Sequence, residues 1–223
     1  MIVKYTKVQK ATLRVAIATA FITTFMGSAL NLAIPNIESQ FGVSAVLIGW
    51  IVTSYTLSVA ALSVPFGKIA DATGRRRVLV FGVLFFCITS IAATLSPNIT
   101  LMIVARVLQG TGSAMIFATN NAILISEFPS SERGNVLGKS VAATYVGLAA
   151  GPVIGGFLNK YMGWKSIFWF AFFVGVVTLI IAVKELPKDK KTTNPQKSDI
   201  AGNILYIGAI VTTIYGLSNI FNR

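Results

Sequence analysis

The stretch of residues 67–78, GKIADATGRRRV, carries five charged side chains in an otherwise apolar part of the chain. The residues before it read SYTLSVAALSVPF, and those after it read LVFGVLFFCITSIAATL. Each flank belongs to an apolar run long enough to cross a membrane as a helix, which requires about 20 mainly apolar residues. The charged stretch is therefore predicted to be a tight turn between two membrane-spanning helices.

The composition of the whole chain also indicates a membrane protein in contact with lipid. Of its 223 residues, 54% are hydrophobic and 12% are charged, whereas soluble domains carry about 25% charged residues. A net charge of +12 could indicate nucleic-acid binding. Nucleic acid is set aside as a partner, because the cations lie in clusters between apolar runs, as membrane topology requires.

The sequence offers no constellation for catalysis or for metal binding. It contains no histidine and a single cysteine, Cys87, which lies inside an apolar run. A metal-ligand cluster or a nucleophilic triad needs more of these residues. We therefore expect no enzyme activity, no metal and no cofactor.

Seven apolar segments are candidate membrane spans, at 13–35, 46–66, 78–96, 100–126, 138–158, 165–183 and 201–221. Most connections are short, so successive spans are predicted to be antiparallel neighbours. The exception is a polar, lysine-rich linker at 184–199. It separates a six-helix bundle in residues 1–183 from a seventh transmembrane helix in residues 200–223, where we expect the chain to be truncated. The predicted fold class is all-α, in a polytopic membrane protein.

The lysines and arginines predict the orientation of these spans. Fifteen of them lie on one side of the predicted spans, while Lys160, Lys165 and Arg223 lie on the other. Positively charged residues are retained in the cytoplasm. We therefore expect a multi-pass protein of the cell membrane with its N-terminus in the cytoplasm.

The charged turn contains one residue that topology does not explain. Its arginines, at 75–77, suffice to hold the turn in the cytoplasm, but Asp71 has no such role. A carboxylate can pair with arginine or favour a helix N-terminus, and Gly67 and Gly74 allow a sharp turn and close helix approach. Two interpretations stay open: an electrostatic latch between helices, and a plain positively charged turn.

Residues 67–77 resemble the signature turn between the second and third helices of the major facilitator superfamily. The family pattern is Gly-x-x-x-Asp-Arg-x-Gly-Arg-Arg/Lys-Arg/Lys, and this sequence departs from it at Ala72. Residues 129–134, PSSERG, are similar to the family's companion loop and supply candidate partners for Asp71. The resemblance implies a gating latch of the outward-open state, formed by Gly67, Asp71, Gly74, Arg75, Arg76, Glu132 and Arg133.

The fourth span, LMIVARVLQGTGSAM at 101–115, contains Arg106 within the membrane. A charge at a helix centre costs about 2.5–3.5 kcal/mol on insertion scales, so such a residue usually faces a cavity or a partner. The alternative is an anchor whose charged end reaches the membrane surface. The run resembles the family's helix-4 motif, Arg-x-x-Gln-Gly-x-Gly-x-Ala, which implies a role in proton coupling or cavity organisation. We expect the cavity to be lined by Arg106, Gln109, Asn31 and Tyr55.

The fifth span, YVGLAAGPVIGGFL at 145–158, has a glycine at every fourth residue and one proline. Small residues at this spacing let two helices pack closely, and proline bends a helix. A packing stripe is one interpretation. The run also resembles the family's antiporter motif, which is typical of exporters and implies efflux. The residues that carry this resemblance are Gly147, Gly151, Pro152, Gly155 and Gly156.

The first span lacks an acid that the drug:proton antiporter branch of the family carries, since Met26 stands at its position. The resemblance nevertheless covers essentially the whole chain. It implies the N-terminal half of a fourteen-helix multidrug efflux carrier that moves small lipophilic substrates by alternating access. Its partner would be a missing C-terminal half or a second copy of itself. The alternative is a truncated, non-transporting half, or a regulatory membrane partner of a full transporter.

Overall fold

The structure, a computed structural model, describes residues 5–189 and 200–220. The helices are α1 Lys7–Ser28, α2 Ile34–Phe41, α3 Ala45–Thr73, α4 Arg75–Thr94, α5 Ile99–Glu127, α6 Ser130–Met162, α7 Lys165–Glu185 and α8 Ile200–Ile220. A 3-10 helix, Ala29–Ala33, joins α1 to α2. No strand occurs in the described residues, and the predicted all-α class is confirmed.

Six helical segments are long and apolar enough to cross a membrane, in agreement with the first six predicted spans. The first of them combines α1, the 3-10 helix and α2, as Lys7–Phe41. In α8 the apolar stretch is Ala201–Ile214, which is shorter than the roughly 20 residues that a membrane span needs. That α8 crosses the membrane stays a prediction. Residues 190–199 of the predicted linker and residues 221–223 lie outside the described residues.

Polar side chains cap the first turns of two helices, α1 and α5. The Thr6 hydroxyl accepts from the Gln9 N–H at 3.2 Å, and the Gln9 side chain accepts from the Thr6 N–H at 3.0 Å. This reciprocal cap satisfies two backbone donors and starts α1 at Lys7, earlier than the predicted residue 13. Asn98 caps α5 in a similar way, by accepting from the Leu101 N–H at 2.9 Å.

The packing of the helices does not follow their order in the sequence. The most extensive contacts join α3 and α4 to α5, α1 to α6, and α4 to α7. The prediction that successive spans are neighbours holds best for α4 with α5. The contacts of α3 with α4, α5 with α6 and α6 with α7 are smaller, and the prediction is wrong for α1 with α3, which contact one another little. Glycines at the crossings explain the difference, because they let particular helix pairs approach closely.

The core lies between α1, α3, α4, α5 and α7, and it includes the large buried side chains of Phe25, Phe86 and Phe168. α8 packs on the outside of this bundle against α3. There the Tyr206 hydroxyl donates to the carbonyl oxygen of Ala60 at 3.2 Å. The first six spans therefore build the interior that holds the candidate site.

Candidate functional site

Arg106 lies at the centre of the bundle and is completely inaccessible to solvent. Its Nε donates to the Ile51 carbonyl oxygen at 3.0 Å, and its Nη2 donates to the Met26 carbonyl oxygen at 3.3 Å. Its Nη1 donates to Gln109 Oε1. The guanidinium carbon also lies 4.1 Å from the centroid of the Tyr55 ring, a cation–π geometry. One cation thus links α1, α3 and α5 through neutral partners.

The hydrogen bonds of Gln109 and Tyr55 extend this buried network. Gln109 Nε2 donates to Ser90 Oγ on α4 at 2.8 Å. The Tyr55 hydroxyl donates to the Thr23 carbonyl oxygen at 2.7 Å and shares a 2.8 Å contact with Ser113 Oγ. Buried polar groups are stable in an apolar medium only when their hydrogen bonds are made. The network therefore ties four helices together around the arginine.

The structure brings together three of the four residues expected to line a cavity. Arg106, Gln109 and Tyr55 are in mutual contact and buried within the bundle. Asn31 lies apart from them, exposed on the 3-10 helix. Arg106 is not an anchor at the membrane surface, because its side chain points into the bundle. Met26 stands where the family resemblance places an aspartate. It still contacts Arg106, but through its backbone carbonyl oxygen.

Two glycines of the fourth-span motif face two different helices. A side chain at Gly110 would meet the Tyr55 carbonyl oxygen at 2.5 Å and the Ser58 Cβ at 2.8 Å, both on α3. A side chain at Gly112 would meet the Gly82 carbonyl oxygen at 2.9 Å on α4. These glycines let α5 approach both neighbours closely, so that Arg106 and Gln109 reach their partners.

The antiporter-like motif of α6 packs against α1 and the 3-10 helix. A Cβ at Gly147 would lie 2.5 Å from the Phe21 carbonyl oxygen, and a Cβ at Gly155 would lie 2.8 Å from the Ala29 carbonyl oxygen. At Gly151 the added atom would collide with the Ser28 hydroxyl, while at Gly156 it would meet Leu32 Cδ1 at 3.0 Å. The glycine stripe is thus a close helix contact.

Two hydroxyls of the first span bond to α6 across this contact. Thr24 Oγ1 donates to the Thr144 carbonyl oxygen at 3.0 Å, and Ser28 Oγ donates to the Leu148 carbonyl oxygen at 3.1 Å. Sequence reasoning missed both hydroxyls. The signal was present as serine and threonine in the first span at the four-residue spacing of the glycines, which places them on one helix face.

The charged turn between α3 and α4 contains a local ion pair. Arg75 Nε and Nη2 both lie 2.9 Å from Asp71 Oδ1, across Gly74. Arg75 also donates to the Ala122 carbonyl oxygen on α5 at 3.3 Å. The predicted pairing of Asp71 with an arginine is found, within the turn itself.

The two glycines of the turn differ in their roles. Gly74 adopts φ +117°, a conformation that other residues rarely adopt. Gly67 lies inside α3, and a Cβ there would have no atom within 4 Å. The expectation that Gly67 shapes the turn or a close helix approach is therefore wrong, because the helix continues past it to Thr73 and, within residues 5–189 and 200–220, no atom packs on it closely.

Glu132 and Arg133 bind groups other than Asp71. The Tyr5 hydroxyl donates to Glu132 Oε2 at 2.9 Å, and this hydrogen bond raises the pKa of Tyr5. Arg133 Nε donates to the carbonyl oxygens of Ile125 and Phe128, at 3.1 and 3.2 Å. The prediction that they partner the Asp71 turn is not met in this structure, because the N-terminal segment and the α5–α6 corner supply closer partners.

A further acid, which sequence reasoning missed, contacts the turn. Asp189 accepts hydrogen bonds from the backbone N–H groups of Arg76 and Arg77. Its signal in the sequence was weak: it is a single acid between Lys188 and Lys190 in a segment read as a linker.

A small polar groove of about 50 Å³ lies between α1, α5 and α6. It is lined by the amides of Asn120 and Asn121, the hydroxyls of Ser140 and Thr144, and the ring of Phe117. Asn120 Nδ2 donates to the Ala16 carbonyl oxygen at 3.2 Å and to Ser140 Oγ at 3.3 Å. Asn121 and Phe117 are exposed, so the groove offers hydrogen-bonding and aromatic surface on an open side of the bundle.

Six helices that are long and apolar enough to cross a membrane enclose a buried polar network around Arg106, an arrangement typical of a multi-pass membrane protein. The chain belongs to the Major Facilitator Superfamily, whose family model matches residues 16–221.

Three relatives illustrate this membership. The riboflavin transporter RibZ of Clostridioides difficile is 34% identical over 83% of this chain and 41% of its own length. The multidrug resistance protein Stp of Mycobacterium tuberculosis is 31% identical over 84% of this chain and 35% of its own. The tetracenomycin C resistance and export protein of Streptomyces glaucescens is 30% identical over 83% and 35%. The chain thus spans well under half the length of these relatives.

Proposed function

We propose that this chain is the N-terminal half of an efflux transporter that moves small lipophilic compounds across the cell membrane by alternating access. The observation that carries the proposal is the close contact of the glycine–proline motif of α6 with α1 and the 3-10 helix. The resemblance associates this motif with exporters, and two of the three relatives above are named for drug resistance or export.

In this proposal the substrate meets the polar groove between α1, α5 and α6. Ligand sites are mostly apolar, with a few polar groups that fix the orientation of the ligand. Phe117 offers an exposed ring and Asn121 an exposed amide in that groove. The Arg106 network lies behind it in the bundle and holds α1, α3 and α5 in register. Arg106 thus acts on the cavity by organising its walls.

The second wall of the cavity comes from another six-helix bundle. Transporters of this architecture place the substrate site between two halves. This chain matches only 35–41% of the length of each relative described above. We propose a separate C-terminal half as the partner, with a second copy of the chain as the alternative. The N-terminus and the α3–α4 turn lie in the cytoplasm, following the distribution of lysine and arginine.

Proton coupling is a separate element of the proposal. A proton carrier needs a group that changes charge near the pathway, and Met26 stands where the resemblance places an acid. We therefore assign the titrating group to the second half. Collapse of the proton gradient is expected to stop efflux by the assembled transporter.

The test is accumulation of fluorescent lipophilic compounds in efflux-deficient cells. The cells express the chain alone, the chain with the C-terminal half of a relative, or the Arg106→Ala variant at matched membrane levels. Thr111→Ala is the control, since the Thr111 hydroxyl donates to the Val107 carbonyl oxygen within its own helix. We expect lower accumulation with both halves present, and loss of this effect in Arg106→Ala.

Three other outcomes are informative. Efflux by the chain alone would favour a homodimer over a two-chain transporter. No efflux in any combination, with correctly inserted protein, would overturn the proposal. If the chain instead reduces the efflux of a complete transporter in the same cells, the regulatory alternative is favoured.

Riboflavin transport is a second candidate function. The specific observation is the 34% identity to a protein named as a riboflavin transporter. The Phe117 ring and the Asn121 amide also suit a planar ring with a hydrogen-bonding edge. Growth of a riboflavin auxotroph at limiting riboflavin separates the two candidates. Riboflavin transport would change this growth, whereas drug efflux would not.

A further inference from the structure

The first residues after α7 fold back onto the start of α4. We propose that Asp189 is a positioning residue of the charged turn: its carboxylate binds the N-terminus of α4 and fixes the turn relative to the end of α7. The inference goes beyond the proposed function and does not depend on transport activity.

The carboxylate of Asp189 binds α4 with both of its oxygens. Oδ1 accepts from the Arg76 N–H at 2.9 Å, and Oδ2 accepts from the Arg77 N–H at 3.0 Å. The first N–H groups of a helix have no partner within the helix, and a negative charge there is favoured by the helix dipole. The N-cap residue of α4 is Gly74, which offers no side-chain acceptor. Asp189 therefore supplies a cap that the local sequence lacks.

Gly74 makes this contact possible in a second way. A Cβ at Gly74 would overlap the carboxyl group of Asp189. The glycine of the turn is therefore required by its positive φ and also by the carboxylate packed against it. This contact connects a residue of the turn to a residue more than a hundred positions later in the chain.

The segment that carries Asp189 is attached to the bundle at two further points. Leu186 is 5% exposed and belongs to the main hydrophobic core. Arg76 Nη2 donates to the Val183 carbonyl oxygen near the end of α7 at 2.7 Å. Arg76 thus binds α7 with its side chain and Asp189 with its backbone, so the two contacts support each other.

Asp189 and the Asp71–Arg75 pair line the same cavity, of about 400 Å³. The other charged groups at this cavity are Arg76, Glu127 and Lys188. The segment forms one wall of the cavity, and the turn forms another. Release of Asp189 would therefore free the turn and the end of α7 to move independently, which is the movement that a positioning residue prevents.

The experiment uses the chain in lipid nanodiscs and makes two structural measurements. The first is hydrogen exchange of the Arg76 and Arg77 amides. The second is the distance distribution between spin labels at Thr73 and Lys184, which are both exposed, at the ends of α3 and α7. The variants are Asp189→Ala and Asp189→Asn, because asparagine keeps one acceptor oxygen. Glu185→Ala is the control: it removes a nearby carboxylate that pairs with Arg14 instead of α4.

We expect Asp189→Ala to speed exchange at both amides by about tenfold, as the loss of a helix cap does, and to broaden the distance distribution. Asp189→Asn should cause smaller changes in both measurements than Asp189→Ala, and Glu185→Ala should change neither measurement. Unchanged exchange in Asp189→Ala would overturn the proposed cap. Faster exchange with an unchanged distance distribution would overturn the positioning role and leave a local cap only. Neither result depends on whether the chain transports a substrate, so the proposed function is tested separately.

Discussion

The hydroxyl of Ser28 donates to the carbonyl oxygen of Leu148, the same carbonyl that Pro152 leaves without a helical donor. In a regular helix the N–H of residue 152 would bond to the carbonyl of residue 148, but proline has no N–H. Ser28 Oγ fills that place at 3.1 Å. Ser28 is also the last residue of α1, where the chain changes to a 3-10 helix. The irregular points of two helices are thus joined by one hydrogen bond.

The first prediction concerns the close contact at Gly151. A methyl group there would collide with the Ser28 hydroxyl, so Gly151→Ala should destabilise the bundle by about 1–3 kcal/mol, as overpacking does. Gly138→Ala on the same helix is the control, since a Cβ there meets no atom within 4 Å. The measurement is unfolding by sodium dodecyl sulfate in mixed micelles. Equal stability of the two variants would contradict the close contact.

The second prediction concerns the hydrogen bond itself. Ser28→Ala leaves the Leu148 carbonyl without its donor, and in transmembrane helices such a bond contributes on average about 0.6 kcal/mol. We expect a loss of that size in the same unfolding assay. Ser63→Ala is the matched control, because the Ser63 hydroxyl bonds the Val59 carbonyl within its own helix. A larger loss in the control would show that helix propensity, not the contact with α6, determines the effect.

The third prediction is a pH dependence of the N-terminal segment. The hydrogen bond to Glu132 raises the pKa of Tyr5 above its usual 10.0, so the folded state favours the neutral phenol. The stabilisation of the folded state by this hydrogen bond is fully present below pH 10, and it is lost as the pH rises through the raised pKa of Tyr5. The difference between the ultraviolet tyrosinate titrations of the unmodified chain and of Tyr5→Phe should show a group with a raised pKa. The Tyr145→Phe variant should retain it.

The sequence was sufficient for the first six spans, since the lengths of the apolar runs and the positions of the charges can be read directly from the order of the residues. It was not sufficient for the contacts. Glu132 was assigned to the Asp71 turn because the two loops resemble companion motifs, but it binds Tyr5, a residue without any motif. Asp189 was missed because its role depends on how α7 ends beside α4. Contacts between distant segments depend on helix packing, which periodicity does not specify.

The fourth prediction separates the latch from stability. Asp71 and Arg75 form an exposed i,i+4 pair, and such pairs contribute only about 0.3–0.5 kcal/mol. Asp71→Asn should therefore leave the free energy of unfolding almost unchanged. It should reduce efflux at least severalfold in the accumulation assay with both halves present. Lys184→Ala, which removes an exposed charge near the end of α7, should affect neither. If Asp71→Asn retains full efflux, the turn serves topology alone, as the plain interpretation of the sequence proposed.

The fifth prediction concerns the buried charge of Arg106. Its three hydrogen-bond acceptors are neutral, so the cation is held by dipoles and by the Tyr55 ring. Arg106→Met removes the charge but leaves Gln109 Oε1 without a donor, at a cost of about 1–3 kcal/mol. Arg106→Lys keeps the charge buried but lacks the planar fork that reaches three acceptors.

We therefore expect Arg106→Lys to be less stable than Arg106→Met in the isolated chain, because an unsatisfied buried charge costs more than an unsatisfied amide. Unfolding of both variants in mixed micelles shows which of the two is less stable, with Thr111→Ala as the control. The reverse order would mean that the positive charge itself stabilises the bundle.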